Sequence, residues 1–220
     1  MNKLKAFTLA EVLLVVAIVG VVAILTVTNA TNEGDEAERV VQLRRSLSII
    51  ESGIALATNE DGPIINWVYS NGNFFSGLQQ RLLPRMKLTK NCGTASGCWK
   101  DGDKEINSNA NYIKAILANG ASIAIEEAPT LPIYIDVNGP KKGSTQPGVD
   151  VFGFELIDAN NGFLRPMGAD VDSDVNFRKF CGDDKLYCTA WVIKNGNMDY
   201  LKCLDELSWT AENGKTNCSN

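Results

Sequence analysis

An uninterrupted apolar run near the start of the chain limits its fold more than any other feature. From Val12 to Val27 there are 16 residues without a charge. Before them stand a short basic leader, Met1-Asn2-Lys3-Leu4-Lys5-Ala6, and the string Phe7-Thr8-Leu9-Ala10-Glu11. With Phe7 to Ala10 before it and Thr28 to Ala30 after it, the run reaches across about 30 Å of hydrocarbon at about 1.5 Å per residue. Lys3 and Lys5 keep the N-terminus on the cytoplasmic side, so the remainder is expected outside. The leader is too short and the apolar run too uninterrupted for a cleaved secretory signal, which ends in a small-residue site after its core. Glu11 is the odd residue. A lone carboxylate beside hydrocarbon costs several kcal/mol (roughly) unless a partner meets it.

The basic leader, the Phe-Thr-Leu-x-Glu string and the apolar run together resemble the N-terminus of type IV pilin-like proteins, the pilins and type II secretion pseudopilins. The resemblance implies cleavage by a prepilin peptidase between Ala6 and Phe7, then N-methylation of Phe7. Ala6 stands where the family usually has glycine. Glu11 becomes the fifth residue of the mature chain, and the family assigns that residue to assembly. In such filaments the apolar helices pack in a core. Each Glu11 is then thought to meet the Phe7 ammonium of a neighbour, because either charge alone carries a large desolvation penalty. The implied partners are the prepilin peptidase, the assembly platform protein and ATPase, other pilin-like subunits, and the inner membrane. The expected location is the inner membrane, single-pass with the head outside the cytoplasm, then a filament in the periplasm or at the surface.

Composition agrees with an exported domain. Removal of Lys3 and Lys5 with the leader takes the formal charge from −5 to −7, which argues against nucleic acid as a partner. The six cysteines, Cys92, Cys98, Cys181, Cys188, Cys203 and Cys218, all follow the apolar run and are even in number. Disulfides in an oxidising compartment fit that pattern, and the spacings do not form paired C-x-x-C zinc motifs. Cys92 and Cys98 enclose a short Gly-containing loop and are expected to pair. The other four allow two arrangements: Cys188 with Cys203 and Cys181 with Cys218, or Cys181 with Cys188 and Cys203 with Cys218.

Beyond the apolar run, Val40, Leu43, Leu47, Ile50, Ile54 and Ala57 recur at three- and four-residue steps. That is one apolar stripe on a helix. No proline precedes Pro63, so a helix is expected from about Phe7 to Ala57, with a weak point near Asn29 to Gly34. Many type IV pilins bend this helix at a proline; its absence points to a pseudopilin-like or divergent member. The fold class expected is α+β: a long N-terminal hydrophobic spine helix packed on a small antiparallel β-sheet head. The organisation is a leader at 1–6, a transmembrane or filament-core helix at 7–30, and a head at 31–220 with a helix at 35–58.

In the head, residues 106–118 suit either a strand or a short helix, while 122–125, 133–137 and 150–156 read as strands. Asn195-Gly196 is a strong hairpin signal between Thr189–Lys194 and Asn197–Lys202. That register sets Trp191 opposite Tyr200 and Ile193 opposite Met198.

The chain has no histidine, which removes Ser-His-Asp, Cys-His and H-E-x-x-H chemistry. No phosphate-binding glycine loop with a strand–loop–helix setting is present, and no enzymatic role is expected. Asp136, Asn138 and Asp150 supply hard oxygen atoms at two strand ends, joined by a Gly/Pro loop, and form a candidate calcium site. Lys141 and Lys142 are candidate neutralising charges for the same carboxylates. The competing reading is that Asp, Asn and Gly only build turns. Asp170-Val171-Asp172-Ser173-Asp174 copies the start of an EF-hand loop, but Val175 stands where glycine is needed, so it reads as a solvated turn. The function expected is that of a pilin or pseudopilin subunit. The alternatives are a minor pilin or adhesin-like tip module on the same stem, and an unrelated membrane-anchored ectodomain.

Overall fold

In the computed structural model, the structure describes residues 9–68, 74–128, 130–141, 143, 145–158, 163–210 and 214–218, with backbone alone for residues 9–34, 67–68, 74–75 and 157–158. Ala6 and Phe7 lie outside the described residues, as does the side chain of Glu11. The chain divides into two units, Met1–Glu38 and Arg39–Asn220, and the division falls inside the first helix.

That helix, α1, runs over Leu9–Asp61, 53 residues, without a break at Asn29 to Gly34. Among the described residues no helix is long and apolar enough to cross a membrane. The membrane-spanning expectation for 7–30 falls on side chains outside those described.

Within the second unit, the stripe on α1 is where periodicity puts it. Val40, Leu43, Ile50, Ile54 and Ala57 are buried, and Leu47 is half-buried against the same core. Gly53 lies on this face because Met86 approaches it: a Cβ there would sit 2.6 Å from Met86 Cγ. Arg44 and Arg45 stay exposed on the polar side.

After α1 come two short helices, α2 (Ile64–Val68) and α3 (Phe74–Gly77), a π turn at Leu78–Leu82 and a 3-10 turn at Leu83–Arg85. Among the described residues the sheet has six antiparallel strands in sequence order: β1 (Leu88–Gly93), β2 (Tyr112–Leu117), β3 (Ser122–Glu126), β4 (Pro132–Asp136), β5 (Val151–Asp158) and β6 (Phe163–Pro166). A small helix, α4 (Lys104–Asn107), precedes β2. The segment 106–118 thus contains both structures that its pattern allowed: a helix end, then a strand.

The two faces of the sheet follow the two-residue alternation of strands. Ile113, Ala115, Ile123, Ile125, Ile133, Ile135, Phe152 and Phe154 belong to one core with the α1 stripe. On the other face, Trp99, Ala124 and Val151 form a second buried cluster, flanked by Tyr112 and Tyr134. The fold is therefore α+β, with helices and one antiparallel sheet sharing a core.

The C-terminal third departs from expectation. The Asn195-Gly196 hairpin is absent. Thr189–Asn195 is a helix, α6, preceded by α5 (Asp174–Asp183) and a 3-10 turn at Lys185–Cys188, and followed by α7 (Tyr200–Cys203). Gly196 is left-handed, φ 72°, and its N–H donates to Val192 O as a helix C-cap. Asn-Gly serves equally at a hairpin turn and at a helix end, because both need positive φ. Burial decided the outcome. Thr189, Ala190, Trp191 and Val192 are buried in succession, which no half-buried strand does. Trp191 consequently does not face Tyr200 across a ladder. Its Nε1 donates to Asn197 Oδ1, and its ring stacks on Phe177 at 4.9 Å between centroids.

Candidate functional site

The structure joins Cys92 to Cys98, Cys181 to Cys188 and Cys203 to Cys218, with Cα separations of 5.9, 4.8 and 5.7 Å. All six cysteines are paired. Of the two arrangements left open for the last four, the local one is found. Cys188 and Cys203 lie on no common strand pair, since the hairpin that would have aligned them is helical.

The turn joining β4 to β5 brings Asp136, Asn138 and Asp150 together. Asp136 closes β4, and its Oδ1 accepts from Asn138 N at 3.0 Å, an Asx turn. Gly139 continues the turn with φ 71° and packs on the β2–β3 turn. A Cβ there would meet Gly120 O at 2.2 Å, so only glycine fits. Asn138 Nδ2 donates to Asp150 Oδ1 at 2.6 Å. The Arg39 guanidinium, from α1, reaches the same oxygen at 3.2 Å.

The two carboxylates are treated unequally. Asp136 is fully buried, and its Oδ2 has no hydrogen-bond partner. Burial pushes its pKa up to about 7, with the nearby Asp150 charge adding to the rise and the Asn138 N–H opposing it. Asp150 is also buried but has Arg39 and Asn138 on one oxygen. The three residues singled out as a calcium site are thus assembled. The positive charge against Asp150 comes from the chain's own Arg39, and Asn138 turns its amide nitrogen to the carboxylate. Lys141 is exposed, and Lys142 lies outside the described residues. Among the described residues no group of three or more His, Cys, Asp or Glu is placed to hold a metal ion.

The Asp170–Asp174 segment takes a different part. Ser173 caps α5, its Oγ accepting from Asn176 N at 3.2 Å. Asp174 then receives the tail: Trp209 N at 2.6 Å, Thr210 N at 3.0 Å and Thr210 Oγ1 at 3.2 Å on Oδ1, and Ser208 Oγ at 2.9 Å on Oδ2. These donors hold its carboxyl below the usual pKa. The spacing that imitated a cation loop is a helix start that binds the C-terminal strap.

Two further groups had no signal in the sequence. Arg39 stands next to the buried stripe of α1, and no neighbouring residue marks its contact with Asp150. Lys114, in the middle of β2, is fully buried, an outcome that strand alternation alone does not separate from an exposed lysine.

Compared with known proteins, the chain matches no family model, no curated protein and no solved structure.

Proposed function

We propose that the chain is a structural subunit of a pilin-like filament, a type IV pilin or type II secretion pseudopilin. It is inserted in the inner membrane, cleaved between Ala6 and Phe7, and polymerised through its N-terminal helix. One observation carries the reading. A single helix, Leu9–Asp61, begins within the Phe-Thr-Leu-x-Glu string and includes both the apolar run and the stripe buried in the head. A cleaved secretory signal needs no such continuity, because it is removed from its domain.

The rest of the molecule is consistent with a structural role. The head is a layered core closed by three disulfides, as suits a protein working outside the reducing cytoplasm. Its polar clusters are tied up internally: Asp150 by Arg39, Asp174 by the tail. On this reading the partners are the prepilin peptidase, the assembly platform with its ATPase, and other pilin-like subunits.

The test is intact-mass and N-terminal analysis of the protein recovered from membranes. Phe7 should be the first residue, carrying one added methyl group. Retention of Met1 in wild-type cells would remove the basis of the reading. Glu11→Ala should leave head folding unchanged and reduce incorporation into filaments, since a neighbour's ammonium then has no partner.

A further inference from the structure

Lys114 stands on the opposite face of β2 from the core residues Ile113 and Ala115, and it is fully buried. Its ammonium donates to three main-chain carbonyls: Asn109 O at 2.8 Å, Thr94 O at 3.0 Å and Ile106 O at 3.2 Å. An ammonium has three donors, so the cage saturates it. All three acceptors are neutral, and burial accordingly pushes the Lys114 pKa below its ordinary value.

Every acceptor comes from the segment that covers this face of the sheet. Thr94 lies inside the ring closed by Cys92–Cys98. The same ring is tied to the rest of the segment by Gly97 N, which donates to Asn107 Oδ1 at 3.1 Å, and is braced within itself by Ala95 N donating to Cys92 O at 3.0 Å. Beyond it, Trp99 is buried, its Nε1 donating to Asp103 Oδ2 at 2.9 Å. The disulfide therefore fixes the position of one of three acceptors on a buried charge. If that acceptor is lost, a buried charged N–H is left without a partner, which costs far more than an average hydrogen bond.

We propose that the Cys92–Cys98 bond and the Lys114 cage form one redox-gated lock, in which segment 94–109 closes over Lys114 only once the two thiols are oxidised. The oxidant is a disulfide, small-molecule or protein. One cysteine thiolate attacks a sulfur of that disulfide and forms a mixed disulfide, releasing the first thiol. The other cysteine thiolate then displaces the second. The S–S bond of the oxidant breaks, the Cys92–Cys98 bond forms, and the two protons leave with the two released thiols. Cys92 is half-buried and so is the partner open to exchange, whereas Cys98 is fully buried. Before oxidation the ammonium stays solvated and the Trp99, Ala124 and Val151 cluster stays open. The head then completes its second face only in an oxidising compartment.

The test is a double-mutant cycle on the full-length chain in detergent: wild type, Cys92→Ser with Cys98→Ser, Lys114→Met, and all three substitutions together. Denaturation midpoints and amide exchange of residues 94–109 are measured. Loss of the disulfide should lower the midpoint about twice as far with Lys114 present as in the Lys114→Met background. Exchange of the 94–109 amides should rise about tenfold only when Lys114 is present. Additive midpoint losses would overturn the proposal and leave the disulfide acting through loop entropy alone. Should the serine variants not fold, the oxidised wild type and Lys114→Met are titrated in glutathione buffers. By reciprocity of coupling, Cys92–Cys98 should need a more reducing poise to open in wild type. Equal poises would refute the lock.

Discussion

The guanidinium of Arg39 meets the carboxylate of Asp150, Nε to Oδ1, at 3.2 Å, with the Asp150 side chain 3% exposed and that of Arg39 28%. This pair pins the first residues of the second unit to the turn between β4 and β5. Asp150 is buried, so its charge must be met inside the protein. Asn138 contributes a hydrogen bond to the same oxygen, and the guanidinium contributes the charge.

Arg39→Gln should therefore destabilise the protein by about 2 kcal/mol, less than a fully buried pair would lose because Arg39 is partly solvated. It also exposes the oxygen set of Asp136, Asn138 and Asp150 to an external cation. Thermal melts with calcium and with chelator should coincide for wild type. In Arg39→Gln, calcium should recover part of the loss, and adding Asp150→Ala should abolish that recovery.

Asp136 makes stability depend on pH. Its carboxyl titrates at about 7 in the folded state against an ordinary value of 3.8. The folded protein thus holds a proton that the unfolded chain has released. The resulting stabilisation is full below about pH 4 and is lost as pH rises through about 7. Above pH 7 a buried carboxylate faces Asp150 with one oxygen unpartnered. Wild type should melt at a lower temperature at pH 8 than at pH 5.5. Asp136→Asn should reduce this difference and melt above wild type at pH 8.

Gly53 is where α1 meets Met86 in the core. A side chain there would press on Met86 Cγ at 2.6 Å and its Cα at 3.4 Å. In an isolated helix Gly53→Ala should stabilise, by up to about 1 kcal/mol. Here the packing term opposes it and is larger, about 1–3 kcal/mol for an overpacked core. The net expectation is a lower denaturation midpoint. Combining Gly53→Ala with Met86→Ala should restore part of the loss, and equal losses in both backgrounds would argue against the contact.

What the sequence disclosed depended on whether the signal was local. The α1 stripe from Val40 to Ala57 is a periodicity, and it is buried as written. The segments 122–125 and 133–137 read as strands, and strands are found at Ser122–Glu126 and Pro132–Asp136. Asp136, Asn138 and Asp150 were legible as a group because Asx-Gly turns mark strand ends. Arg39 was not legible as their partner, because nothing near it in sequence marks a contact so far along the chain. Asn195-Gly196 was misread because one dihedral requirement serves two structures, and only tertiary burial of Ala190 to Val192 separates them. Lys114 was missed because its acceptors are main-chain carbonyls, which side-chain identities do not reveal.

Asp174 governs the C-terminal strap. One carboxylate oxygen accepts from Trp209 N, Thr210 N and Thr210 Oγ1, and the other from Ser208 Oγ. Trp209 is thereby held against Phe177 at 5.4 Å between ring centroids, with the Lys194 ammonium over its ring at 4.2 Å. The Cys203–Cys218 bond closes the strap, but it only limits the strap's length and does not seat Trp209. The donors hold the Asp174 pKa below its ordinary value, so their stabilisation is present above the unfolded pKa and is lost as pH falls through the folded one. Asp174→Ala removes an acceptor for four donors, two of them main-chain. It should cost about 1–3 kcal/mol and loosen residues 207–210 before the core. Trp209 fluorescence should shift to the red and become quenchable in Asp174→Ala at neutral pH, while wild type shows the same change only on acidification below about pH 4. A Trp209 signal unchanged by the substitution would mean that the aromatic stack, and not the carboxylate, seats the strap.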